Sequence, residues 1–270
     1  MEPARIAIAD ARLETAHWGS GEPVLFIQTA LGADDLLPVA TDAALDGFRR
    51  ILYHRCGYAG SSAVDGPGSI ARDAADGAAL LTALDIDRAH IVGLSFSGAI
   101  ALQLAADAPE RVRSLTLIEP PPAHTPHADE FRAANEELVA IRREHGLAEA
   151  LEAFLSRVIG PDWQRAAEDR LPGSVAQMRR DAGTFFDADL PALLAWRFGP
   201  QDASGIDCPV LYVGGTDSGP WFAEVRELLL AWLPHADDVL IDGAGHSLAL
   251  THAPQVAEVL AAFLARHRRS

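Results

Sequence analysis

The apolar positions of this chain fall into two alternating rhythms. Short continuous runs at Val24–Ile27, Ile51–Tyr53, Ile91–Val92, Val112–Ile118, Pro209–Val213 and Asp238–Ile241 suit strands buried on both faces. Between them apolar residues recur at helical spacing. Ile70, Ala74, Ala78 and Leu81 share a stripe in a helix predicted over 70–84, with Ser69 as its N-cap and Asp73 and Asp76 suited to its first turns. A looser helical pattern spans 34–45 across Pro38, and further helices are predicted over about 221–233 and 254–267. Residues 4–9 and 12–18 instead alternate around Asp10, as an antiparallel strand pair would. Buried strands alternating with helices predict an α/β fold: a mostly parallel central sheet flanked by helices on both faces.

From Pro120 to Gly205 the strand rhythm stops. Helical patterns occupy 128–145, 147–159, 162–171, 175–186 and 190–198, punctuated by Pro161, Pro172, Pro191 and Pro200. The expected organisation is therefore a core made of residues 1–119 and 206–270, with a helical cap over 120–205 inserted after the strand that ends at Glu119.

In a parallel sheet every strand ends on the same edge, where ligands bind. Reading just past each buried run gives Gln28, His54, Ser95, Glu119, Asp217 and His246. Ser95 stands apart. In His90-Ile-Val-Gly-Leu-Ser95-Phe-Ser-Gly-Ala the pattern passes from strand to helix within about three residues, which requires a sharp turn. A serine on that turn presents its hydroxyl at the tip, and the first amides of the new helix point toward the same spot.

Composition narrows the function. A chain of 270 residues suits one large α/β domain, or one domain carrying an insertion. Its net charge of −16 argues against nucleic acid or an anionic membrane as partner, since both need clustered cations. The N-terminal segment lacks a basic start with a long apolar core, and no run approaches a membrane span, so a cytoplasmic location is expected. Cys56 and Cys208 give neither a disulfide framework nor metal spacing. His124 and His127 are read as solvated residues of a proline-rich loop. With no His-Glu-x-x-His, Walker-type loop or dinucleotide fingerprint, neither a metal nor a cofactor is expected. The expected partner is a small-molecule substrate, and monomer and homodimer are both open.

The chain order Ser, Asp, His, the serine between strand and helix, and the helical insertion after the next strand resemble the α/β-hydrolase fold, in particular its small lidded serine hydrolases and esterases, over nearly the whole chain. The resemblance implies Ser95 as nucleophile, His246 as base and Asp217 as the acid that orients it, with Glu119 as the alternative acid. It places the oxyanion hole at the backbone amides of Phe96 and Ala30. Two departures from the family pattern stand out. Ser97 occupies the second glycine position of the serine turn, and Gln28-Thr29 replaces a His-Gly pair, where Thr29 resists the positive φ that glycine tolerates. Gln28, Thr29, Leu31, Trp163, Phe185 and Trp196 are candidate pocket residues. The implied function is hydrolysis of an ester, thioester or related acyl bond of a small, fairly apolar molecule through an acyl-enzyme. The alternatives are a lyase, C–C hydrolase, perhydrolase or natural-product cyclase of the same fold, or a ligand-binding receptor without catalysis.

Overall fold

The computed structural model describes residues 3–64 and 66–268. Eight strands form one sheet: β1 Ala4–Ala7, β2 Arg12–Trp18, β3 Glu22–Ile27, β4 Phe48–Tyr53, β5 Ala89–Leu94, β6 Val112–Ile118, β7 Val210–Gly215 and β8 Asp237–Ile241. Their order across the sheet is β1-β2-β4-β3-β5-β6-β7-β8. The β1–β2 and β2–β4 pairs are antiparallel, and from β4 through β8 the pairing is parallel. The continuous apolar runs of β3 to β7 thus sit in the middle of the sheet, and the alternating segments form its antiparallel margin. The run at Asp238–Ile241, expected to be buried on both faces, is instead the opposite edge, β8, and is mostly exposed because no strand pairs beyond it.

Helices α1 Leu37–Ala40, α2 Ile70–Ala83, α3 Phe96–Asp107, α10 Pro220–Trp232, α11 Leu248–Thr251 and α12 Ala253–Arg266 flank the sheet. Leu25, Ile27, Ile91, Leu115 and Leu117 face one layer with residues of α2 and α3, whereas Val24, Phe26, Val92 and Val213 face the other with α12. In α12, Val256, Ala257, Leu260, Phe263 and Leu264 follow helical spacing and are all buried. Helix α3 is apolar nearly all round because it is buried nearly all round. The helix read over 34–45 is shorter than expected: the chain makes only α1 and a 3₁₀ turn at Ala43–Leu45, where the Asp42 side chain accepts from the Ala44 amide and breaks the run.

All of α4 Ala128–His145, α5 Leu147–Val158, α6 Trp163–Arg170, α7 Ser174–Thr184, α8 Leu190–Ala195 and α9 Pro200–Ala203 lie between β6 and β7. A single π-helical turn, Phe185–Asp189, joins α7 to α8. This segment has its own apolar cluster around Leu151, Leu155, Trp163, Met178 and Phe186, and Leu31 from the loop after β3 reaches into it. No helix among the described residues is long and apolar enough to cross a membrane.

Candidate active site

Ser95 follows β5 with φ 50° and ψ −120°, the strained conformation that a strand-to-helix reversal in a single residue demands. Gly93 is needed for it: a Cβ there would lie 2.3 Å from the Ser97 carbonyl oxygen. Ser97 fills the second glycine position with a purpose of its own. Its buried hydroxyl accepts from the Leu94 amide (2.9 Å) and donates to the Leu94 carbonyl (3.0 Å), closing the turn from inside.

The Ser95 hydroxyl meets His246 Nε2 at 3.1 Å. On the far side of the ring, His246 Nδ1 meets Glu119 Oε2 at 2.8 Å. Glu119 is fully buried, and its other oxygen accepts from the Gly215 amide at 2.8 Å. Both carboxylate oxygens are therefore satisfied, which is what a buried charge requires. The ring of Phe222 stacks on His246 at 4.0 Å and limits its rotation.

This corrects the expected acid. Asp217, read as the partner of His246, lies two residues beyond the end of β7, exposed, with its amide tied to the Ala244 carbonyl and its carboxylate accepting from the Thr216 hydroxyl. Glu119 follows β6 directly, beside β5. Its amide donates to the Val213 carbonyl, and its φ of 42° turns the backbone out of the strand at that point. Pairing one strand nearer the serine puts the fallback acid, Glu119, against the imidazole.

Ala30, Ser95 and Phe96 line one cavity of about 650 Å³. Among the described residues neither the Ala30 nor the Phe96 amide donates to an acceptor within the chain, in keeping with Phe96 being the first residue of α3. The loop after β3 does run unusually, but Thr29 is not the residue in the left-handed region. Leu31 is, at φ 62°, with its amide donating to the Tyr58 hydroxyl at 3.2 Å. Thr29 instead donates through its hydroxyl to the Leu94 carbonyl (2.8 Å), fastening this loop to the end of β5.

Of the candidate pocket residues, Thr29, Leu31 and Phe185 line the cavity, and Gln28, Trp163 and Trp196 do not. Gln28 is buried behind the wall, its side-chain oxygen accepting from the Arg55 amide. Trp163 packs within the helical segment and donates to Glu152. Trp196 packs on α3 and donates to Gln103. Length and polarity explain the split: both indoles find a hydrogen-bond partner outside the cavity. Phe131 and Phe154 line it instead. His124 is not a solvated loop residue either. It packs on Trp196 at 4.8 Å, and burial, with Arg132 and Arg197 nearby, lowers it to about 4. His127 is exposed and paired with Glu224.

Sequence reading missed Arg55. Its guanidinium, 2% exposed, bonds Asp73 (2.6 Å) and Asp189 (2.5 Å), donates to the Gln28 carbonyl (3.1 Å), and lies over the Phe96 ring at 4.6 Å. Tyr58 also donates to Asp189, at 2.6 Å. Burial opposes the charge on Arg55, but Asp189 and Asp73 outweigh it. One side chain thus joins the loop after β3, the start of α3 and the π-helical turn. Considering two residues past each strand end, rather than one, would have brought it to notice. His54, the residue before it, bridges Glu14 (2.9 Å) and Asp34 (3.1 Å). The Cys56 thiol is pushed up to about 11, first by burial and then by Asp76 and Asp73, the opposite of a reactive thiol.

A sequence model described as the alpha/beta hydrolase fold matches residues 22–253. The chain belongs to the alpha/beta hydrolase fold family. A protein of Variovorax paradoxus that carries the name carbamate hydrolase RutD is 30% identical over 96% of this chain and 93% of its own. A thermophilic esterase of Thermogutta terrifontis superposes with a TM-score of 0.81 at 19% identity, covering all of both chains. An enol-lactonase of Burkholderia xenovorans superposes with a TM-score of 0.80 at 24% identity, covering 97% of this chain and all of its own. This member of the alpha/beta hydrolase fold family is a hydrolase.

Proposed function

We propose that this hydrolase cleaves an ester, thioester or related acyl bond of a small, fairly apolar molecule through Ser95, His246 and Glu119. The observation that carries this is the unbroken hydrogen-bond chain from the Ser95 hydroxyl through both ring nitrogens of His246 to a buried carboxylate. With Nδ1 donating to Glu119, Nε2 is left as an acceptor for the Ser95 proton, so the serine oxygen can attack a carbonyl carbon. The amides of Phe96 and Ala30 are suited to stabilise the negative oxygen that forms, where loss of one such donor costs about 10²–10³ in rate. His246 then gives its proton to the leaving group. Water, deprotonated by the same ring, hydrolyses the acyl-enzyme and frees Ser95. The helices between β6 and β7 act in this reading as a cap that supplies the apolar cavity walls at Phe131, Phe154 and Phe185.

The relative named for carbamate hydrolysis brings carbamates into the substrate panel, since the same attack on a carbamate carbonyl needs no further group. Wild-type protein is expected to hydrolyse p-nitrophenyl esters of short acyl chains and to be labelled by a fluorophosphonate, and Ser95→Ala to do neither. Labelling without ester turnover would favour the lyase, perhydrolase and cyclase readings of the site instead. A wild type that does not label at all would sink the nucleophile assignment.

A further inference from the structure

The mechanism leaves one carboxyl in the cavity wall unused. Asp35 lies in the loop after β3, a few residues beyond Ala30, and lines the same cavity as Ser95 and His246. Its side chain folds back over Gly32 so closely that a Cβ on Gly32 would sit 2.2 Å from Asp35 Oδ2. Its Oδ1 is buried without a hydrogen-bond partner, and no donor or cation of the described residues reaches the carboxyl. Its neighbour Asp34 is already engaged by His54 at 3.1 Å. The arginines of the cavity wall are committed elsewhere: Arg157 to Glu137 and the Ala134 carbonyl, Arg170 to the Ala166 carbonyl.

A half-buried carboxyl with one oxygen shut off from water and no donor is unfavourable, and a side chain that only filled space would be better as leucine or asparagine. What relieves it is a ligand that brings the missing donor. Beside a second carboxylate, in a protein of net charge −16, the donor favoured by charge is a cation. We infer that Asp35 is a specificity residue that binds a protonated amino group on the acyl compound cleaved at Ser95, an inference that rests on the hydrolase mechanism above. Burial, with Asp34 adding to it, pushes Asp35 up to about 7, and an ammonium bound there would pull it back down and fix the carboxylate form.

The test compares p-nitrophenyl 6-aminohexanoate with p-nitrophenyl hexanoate, and shorter and longer pairs of the same kind. Wild type is expected to favour the amino ester in kcat/KM by about tenfold or more at the best chain length, as a charge-assisted bond at a half-buried carboxyl would give. Asp35→Asn and Asp35→Leu should lose that preference. A wild type without it, or variants that keep it, would overturn the assignment. A matching preference for 6-hydroxyhexanoate would overturn the choice of a cation. If neither ester is turned over and Ser95 does not label, the hydrolase mechanism fails by itself, and Asp35 is then judged by calorimetric binding of n-hexylamine. That amine should bind wild type and bind Asp35→Asn about tenfold more weakly or worse, with equal binding counting against the assignment. The melting temperature of Asp35→Asn at pH 8 separates recognition from structure. It should equal or exceed that of wild type, because an unpaired carboxylate beside Asp34 is gone, and a clear drop would mean that Asp35 serves the fold.

Discussion

At the residue scale, the division of labour between Glu119 and Asp217 is open to direct measurement. Glu119 Oε2 holds the imidazole at 2.8 Å, so Glu119→Gln should preserve shape while removing the charge that fixes the tautomer and stabilises the imidazolium. A loss of kcat of about 10³–10⁴ is expected, by analogy with the aspartate-to-asparagine change in other triads. Asp217→Asn, on an exposed side chain in the cavity wall, should change kcat by less than about tenfold and act mainly through KM. Steady-state kinetics on one p-nitrophenyl ester decide it, and the reverse ranking would restore Asp217 as the acid. Sequence alone offered both carboxylates at one sheet edge, because strand periodicity locates the ends of strands to within a residue or two and says nothing of where a side chain turns afterwards. The deciding feature is the left-handed backbone of Glu119, and a glutamate followed by three prolines does not advertise it. Ser95 and His246 were legible for the opposite reason. Each sits in a glycine-flanked break between elements, and glycine at such a break reports backbone geometry directly.

At the scale of elements, Arg55 binds structure that is far apart in the chain. It is the sole cation bonded to both Asp73 of α2 and Asp189 of the π-helical turn among the described residues, and it holds the Gln28 carbonyl of the loop that presents Ala30. Arg55→Met would leave Asp189, still bonded to Tyr58, and the half-buried Asp73 without their cation, a change that costs about 3–5 kcal/mol when one partner of a buried pair is removed. For a chain of this length that corresponds to a fall in Tm of roughly 10 °C. Activity per fluorophosphonate-titrated site should fall as well, because the loop carrying Ala30 loses its anchor; a fall in Tm with activity per site intact would confine Arg55 to stability. Such long-range pairings are where pattern reading stops. The apolar rhythm placed β3 to β8 and α2, α3, α10 and α12 closely, since burial on a known face constrains every turn of those elements. It extended one helix over 34–45, where the Asp42 cap intervenes, and among the aromatics of the helices between β6 and β7 it offered Trp163, Phe185 and Trp196, of which Phe185 alone lines the cavity. Phe185 lines the cavity and Phe186, its neighbour, packs in the cluster behind it, because consecutive helical residues point to different faces and the period does not say which face looks into the cavity.

At the scale of the whole molecule, the response to acid draws on a buried histidine that does not line the cavity. His90, in β5, is fully buried, with Nδ1 at 2.7 Å from the Ser114 hydroxyl and its ring edge-on to Phe48. Burial lowers it to about 4, against the pull of Glu22. An unfolded histidine titrates near 6.5. Between those values the unfolded chain binds a proton that the folded chain refuses, so the stability His90 contributes is present above about pH 6.5 and is lost as the pH falls toward 4. The difference in pKa corresponds to about 3 kcal/mol at the acid end. His124, lowered to about 4 as well, acts in the same direction. Asp35, pushed up to about 7, and Asp73, pushed up to about 6 by burial against the pull of Arg55, act in the other, because the folded state holds their protons more tightly and gains stability as the pH falls through those values. The wild-type curve of Tm against pH is therefore a balance, and a difference curve isolates one side of it. His90→Gln removes the titrating ring and keeps a donor and an acceptor for Ser114. Whatever the substitution costs at pH 8, the variant should lose less Tm than wild type between pH 7 and pH 4.5, so that the two curves converge. Differential scanning calorimetry across that range reads the slope directly, and parallel curves would mean that the acid limb belongs to other groups.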